Sequence, residues 1–260
     1  MKTLILALLI LFCTSLTTYA EKNEWYDNSY DFTKPKSIVF RLWVPEGYSD
    51  LVAREIGDIY YGQIKTEIYD KLNTKCKIVS YRKLLNNYFR DNNITEQEFN
   101  DLMAKNPEKM NSLVDKYIED NYDLCVLGRP LVYDMGTQYC EGYIYSMPSY
   151  NTSVIHLPNG QVATASSTGQ TIHSVPGGNF PTVYVCFRFD VTKAKTLTST
   201  GDNVWTRIDD RARVNRDVFQ NSKPKDVFKR IMNSFCQDFV KAMNTRKATK
   251  SAVKSNDYGF

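Results

Sequence analysis

Histidine is nearly absent. The chain holds two in 260 residues, His156 and His173, and so is short of the residue most often used to bind metals and to move protons near neutral pH. No Cys-x-x-Cys pair occurs, and the two histidines stand 17 positions apart without companions, so zinc-type spacing is missing. There is no Gly-x-Gly-x-x-Gly and no phosphate loop, which leaves nucleotide binding without support. These absences predict no metal and no cofactor. Strong charge is lacking too: the net charge is +4, and loss of Lys2 with a leader lowers it by one. That is too mild a balance to argue for nucleic acid.

Cysteine is sparse. Of six, Cys13 lies in the leader described below, which leaves Cys76, Cys125, Cys140, Cys186 and Cys236. An odd number allows at most two intramolecular disulfides. Cys125, Cys186 and Cys236 sit inside apolar strand or helix patterns, where a free cysteine acts as a small core hydrophobe. A mostly reduced or single-disulfide chain is expected. Long apolar runs are confined to one place, Leu4 to Phe12, nine residues against the roughly 20 that a bilayer-spanning helix needs.

That run follows Met1-Lys2 and precedes Thr18-Tyr19-Ala20, then Glu21-Lys22. It reads as a secretory signal peptide cleaved after Ala20. The expected organisation is a signal peptide at 1–20, an exposed lead-in at 21–36, one α/β domain at 37–243 with an insert at 141–181, and a basic flexible tail at 244–260.

Within the domain, Ile38, Phe40, Leu42 and Val44 alternate along a first strand; Val39 and Trp43 point the other way, so both faces should be covered. A helix from Asp50 to Leu72 carries the stripe Val52, Ile56, Ile59, Tyr60, Ile64, Ile68 and Leu72. Residues 76–81 form a second strand, which makes a β-α-β unit of parallel strands. Thr95 and Glu98 form a capping box, and Asn106-Pro107 restarts a helix. Tyr122 to Met135 predicts a strand with a bulge at Gly128-Arg129-Pro130. Asn159-Gly160, between two β-prone runs, predicts a projecting hairpin, and Pro176-Gly177-Gly178-Asn179 a further turn. Residues 182–191 and 204–212 predict an antiparallel pair with one face buried and one partly wet. A helix over 223–243, with Ser222 as its cap, closes the fold. The fold class is α/β (α+β), a mixed sheet with helices packed mainly on one face and a projecting hairpin.

Three segments carry a resemblance: Tyr30-Asp31-Phe32-Thr33-Lys34 running into the first strand, residues Asn121 to Gly128, and Val183 to Thr192 followed by Asp202-Asn203-Val204-Trp205. Over roughly residues 30–243 the chain resembles exported bacterial α/β envelope proteins of the domain-of-unknown-function lipoprotein type. More distantly it is similar to the amino-terminal domain of TolB, the lipoprotein activators of penicillin-binding proteins and the curli secretion channel. The resemblance implies a protein–protein role in the cell envelope and supplies no catalytic residues. Many members carry a lipid anchor, whereas Cys13 here follows Leu11-Phe12, not the small residues that lipid attachment favours.

Candidate functional residues are few. Tyr139, Tyr143, Tyr145 and Tyr150 crowd one segment with Tyr184 across from them. Tyrosine suits interfaces because it buries area at low entropy cost and keeps its hydroxyl bonded. Tyr133 belongs to the same crowd, and half of the set could equally pack the sheet's second face. Asp190, Asp202, Asp209 and Asp210 at strand ends mostly cap and solvate; Arg207, Arg211 and Arg213 share strand parity and would pair with Asp190, Asp209 and Asp210. The reading is an exported, periplasmic or extracellular, non-enzymatic protein that binds an envelope protein or wall component through these tyrosines. The alternatives are a thiol-dependent hydrolase using Cys140 with His156 or His173, and a subunit of an oligomeric envelope channel.

Overall fold

The computed structural model describes residues 18–156, 162–216 and 221–249. The expected leader up to Thr17, the hairpin turn Asn159-Gly160 and the tail beyond residue 249 lie outside the described residues. Strands β1 (Thr18–Tyr26), β2 (Ser37–Leu42), β3 (Lys77–Ser80), β4 (Leu124–Cys140), β7 (Gly178–Lys193) and β8 (Asn203–Val214) form one mixed sheet. Its order is β1-β8-β7-β4-β2-β3. β2 runs parallel to β3 and β4, and the remaining pairs are antiparallel. β5 (Tyr143–His156) and β6 (Val162–Val175) make a separate two-stranded sheet.

The helices are α1 (Asp50–Gln63), α2 (Tyr81–Asn92), α3 (Glu96–Lys105), α4 (Pro107–Asn121) and α5 (Pro224–Thr245). α1 continues through a π-helical stretch, Ile64–Tyr69, into the turn Asp70–Leu72. It therefore spans the length its apolar stripe predicts, and Ile56, Tyr60, Ile64, Ile68 and Leu72 are all buried.

Strand alternation splits the core in two. Ile38, Phe40, Leu124 and Val126 join α1 and α5 on one face, while Val39, Val79 and Cys125 join Leu84, Tyr88, Val114 and Ile118 of α2 and α4 on the other. Trp43, past the end of β2, is exposed instead of covered. The dominant contact is α5 on the sheet. Phe235 stacks on Phe189 at 3.8 Å, and Trp205 is stacked between Phe235 at 5.3 Å and Tyr26 at 4.8 Å. Burying such rings at about 25 cal/mol per Å² is the main force holding the helix down.

Four local expectations are corrected. The lead-in at 21–36 is exposed over residues 21–25 as expected, but not throughout: Phe32 is buried, β1 pairs with β8 along its whole length, and Glu24 accepts from Trp205 Nε1 at 3.1 Å. Cleavage after Ala20 would leave Glu21–Tyr26 of that strand. The tail begins ordered, because Arg246 lies 3.5 Å over the Tyr26 ring and its carbonyl accepts from Phe32 N–H at 3.0 Å. Ser222 does not cap α5. Its backbone exchanges two hydrogen bonds with the Asn215 amide, and the Asp226 carboxylate accepts from Lys223 N–H. Residues 176–179 do not reverse the chain; Pro176 and Gly177 alone separate β6 from β7, Gly178 and Asn179 already belong to β7, and the two strands run on in the same direction. The capping box at Thr95 and Glu98 and the cap at Asn106 form as expected, and β4 does bulge, but at Leu131, between Pro130 and Val132, just past the expected Gly128-Arg129-Pro130.

Candidate interaction hairpin

β4 and β7 remain paired from Leu124↔Lys193 to Cys140↔Gly178, well past the last β2 and β8 partners. The sheet thus narrows to a two-stranded ribbon. The β5–β6 ladder then starts at Tyr143↔Val175 and runs without a register shift to His156↔Val162. Between the ladders lies a joint made of Glu141, Gly142, Pro176 and Gly177. A Cβ on Gly177 would come within 2.8 Å of Gly142 N and 3.1 Å of Cys140 O, so the two backbones touch there and only glycine fits. Arg216, just past β8, clasps the joint: its guanidinium lies 5.7 Å from the rings of both Tyr143 and Phe180.

The sequence of this region has a property that alternation and turn signals do not reveal. From Gly142 to Phe187, 46 residues, there is no Asp, Glu, Lys or Arg. At the chain's own charged fraction of 24%, about eleven would be expected. An ordinary solvated hairpin carries charge on its wet face and edges. Ile144 and Ile172 are 73% and 72% exposed near its base.

The five tyrosines do not meet in one patch. Tyr139, 66% exposed, is the last residue but one of β4; Tyr143 opens β5 under Arg216; Tyr145 and Tyr150 lie along β5 opposite His173 and Thr168. Tyr184 pairs with Asp134, so strand parity sets it on the opposite face of the ribbon from Tyr139. The side chains of Tyr145, Tyr150, His156 and His173 lie outside the described residues. Tyr133 is a core residue: it is buried edge-on against Phe228 and donates to Glu55 at 2.6 Å.

The proposed thiol arrangement is not assembled. Cys140 is buried at the joint, and His173 pairs with Tyr145 five positions further out, whereas His156 ends the arm. At about 3.3 Å per residue the two histidine backbones are roughly 36 Å apart. Of the four acidic residues Asp190, Asp202, Asp209 and Asp210, two form ion pairs with arginine. Asp190 meets Arg188 at 2.8 Å and Arg129 at 3.5 Å; Asp209 meets Arg207 at 2.5 Å and Arg211 at 3.4 Å. Among the described residues no group of three or more His, Cys, Asp or Glu side chains converges as metal ligands would. An open groove of about 420 Å³ beside β3 is lined by Tyr61, Lys65, Tyr69 and Lys83, without carboxylate, thiol or imidazole.

No family model matches the chain, and no curated protein does. Two solved structures are similar: the PelC dodecamer from Paraburkholderia phytofirmans, at 9% identity and a TM-score of 0.38, covering 85% of this chain and 97% of that one; and a single-substitution variant of that dodecamer, at 10% identity and a TM-score of 0.37, covering 85% and 98%. At that overlap nothing about assembly or partners transfers to this chain.

Proposed function

We propose that this chain is an exported, non-enzymatic protein of the cell envelope, periplasmic or extracellular, whose β5–β6 hairpin is its interaction element. One observation carries the reading. The hairpin is a separate sheet whose arms pair only with each other among the described residues, so both outer edges keep backbone donors and acceptors free for a partner. The charge-free run points the same way, since a surface held in water throughout its life is normally charged. Export rests on the leader at residues 1–20. No described helix is long and apolar enough to cross a membrane.

The test is deletion of residues 143–175, joining Gly142 to Pro176. The two cores lie outside the hairpin, so the shortened chain should keep its unfolding midpoint. It should also lose every protein or wall fragment that the full chain retains after crosslinking in intact cells. Retention of those partners by the shortened chain contradicts the reading. Loss of a hydrolytic activity in Cys140→Ser would favour the thiol enzyme instead.

A further inference from the structure

We propose that the groove beside the edge strand β3 binds an acidic polysaccharide, one that carries its negative charge as carboxylates on the sugar rings. The site belongs to the body of the protein and goes beyond the hairpin's reading as the interaction element.

Shape comes first. The open groove of about 420 Å³ is joined by a second hollow of about 380 Å³, and the two share Tyr69, Ile78 and Lys83. Each has the volume of a small-ligand site. Together they make one trough beside β3, the last strand of the sheet. Ile64 and Ile78, both buried, give it an apolar floor. The end of α1 and its π-helical continuation supply Tyr61, Lys65 and Tyr69, four positions apart and so in line on one side of the helix. π-helical turns are rare and gather at functional sites. Ser80 and Lys83 come from the start of α2.

Charge sets the sign of the ligand. The two linings hold four lysines, Lys65, Lys75, Lys77 and Lys83, and no Asp or Glu. Glu67, close to Lys65 in sequence, is taken by Lys71 at 2.6 Å. Lys75 donates to Asn244 Oδ1 at 2.7 Å, and Lys77 lies 5.6 Å from the centre of the Tyr122 ring; both partners are neutral. Lys65 and Lys83 enter no ion pair among the described residues. Four ammonium groups in one trough therefore repel one another with no carboxylate between them, and a polyanion laid along the trough relieves that repulsion.

The tyrosines set its class. Tyr61 is fixed edge-on to Tyr60 at 5.1 Å, and Tyr69 is 43% exposed. An aromatic face suits the C–H face of a sugar ring, while the hydroxyls of Thr74 and Ser80 and the amide of Asn73 can exchange hydrogen bonds with sugar hydroxyls. A polymer with charge but no rings leaves the aromatic faces unused. An acidic peptide would bind by adding a strand, and β3 offers an edge of only four residues before α2 begins at Tyr81. A chain of uronic acids supplies ring and charge together.

The experiment titrates the full mature chain by calorimetry with polygalacturonate, its highly methyl-esterified form, polyphosphate and polyglutamate. Polygalacturonate should bind, more weakly as salt is raised, because salt screens exposed charges. The esterified form, with the same rings and little charge, should not bind. Lys65→Gln combined with Lys83→Gln should weaken binding about tenfold, and Tyr69→Ala about threefold, with unfolding midpoints unchanged. Lys229→Gln, exposed on α5, should bind as the native chain does. No binding, equal binding of the ester, or an unaltered affinity in the double lysine variant overturns the proposal. So does polyphosphate or polyglutamate bound as tightly as polygalacturonate. All the lining residues lie between positions 61 and 83, so the 143–175 deletion should keep the affinity of the full chain. Loss of polygalacturonate by that deletion would move the site to the hairpin and overturn the groove. Failure of the hairpin to crosslink a partner leaves the groove standing.

Discussion

Arg207 should be the costliest polar residue in the chain to remove. Its side chain is fully buried between β8 and α5, and the carboxylate of Asp209 is 1% exposed. Nε donates to Asp209 at 2.5 Å, Nη1 to Asp238 at 2.7 Å and Nη2 to Ser234 Oγ at 2.7 Å. Asp238 also accepts from Lys22 of β1 at 2.8 Å. One guanidinium thus ties the edge strand, its neighbour and the closing helix together. Arg207→Ala leaves Asp209 buried with only the 3.4 Å contact from Arg211. An uncompensated buried charge costs about 3–5 kcal/mol. With a urea slope of about 2–3 kcal/mol per molar, the midpoint should fall by roughly 1–2 M. The double variant Arg207→Leu with Asp209→Leu removes both charges and should recover most of that loss, because a buried pair replaced by apolar side chains is often near neutral. Equilibrium urea unfolding followed by tryptophan fluorescence, with Trp205 stacked on α5 as a reporter, measures both. A loss below about 1 kcal/mol for Arg207→Ala, or a double variant as weak as the single, refutes the reasoning.

Two further outcomes follow from the cores. In Gly128→Ala the new Cβ would lie 2.5 Å from Tyr60 Cε2 and 3.0 Å from Phe187, and Tyr60 is pinned by its hydroxyl bond to the Arg41 carbonyl; the strain should cost about 1–3 kcal/mol, read as a lower unfolding midpoint. Burial pushes the Cys125 and Cys186 thiols up to about 11, and those of Cys76 and Cys236 up to about 12. Unfolded thiols titrate near 8.5, so from about pH 9 to 12 the folded chain holds more protons than the unfolded one, and stability must fall as pH rises through that window. Unfolding midpoints measured from pH 8 to 11 should drop steadily, and a maleimide at pH 7 should label these thiols only after denaturation.

The regular elements were readable where burial imposes a period. Ile38 and Phe40 against Val39 announced a sheet with two covered faces, and the α1 and α5 stripes announced the helices that cover the first. β1 had no such period. Glu21, Lys22 and Glu24 are edge-strand residues, ordered by the β8 ladder and by Tyr26 on Trp205, which are contacts distant in sequence. α2 carries as weak a signal, because only Leu84 and Tyr88 of its twelve residues are buried and its start depends on the Ser80 side chain. The hairpin is legible from its turn residues, but closeness in sequence suggests a tyrosine cluster that the fold does not make. A ribbon one strand pair wide spreads them along its length and sends Tyr184 to the other side. The more informative signal, the missing charge from 142 to 187, was visible in the sequence all along and concerns no single residue.

The most direct measurement places a photocrosslinking amino acid at Ile172, exposed on β6, or at Gln237, exposed on α5, in otherwise native chains inside intact cells. The expected result is a discrete crosslinked band from Ile172 and none from Gln237. A band from Gln237 with none from Ile172 would show that the body, and not the hairpin, makes the contacts.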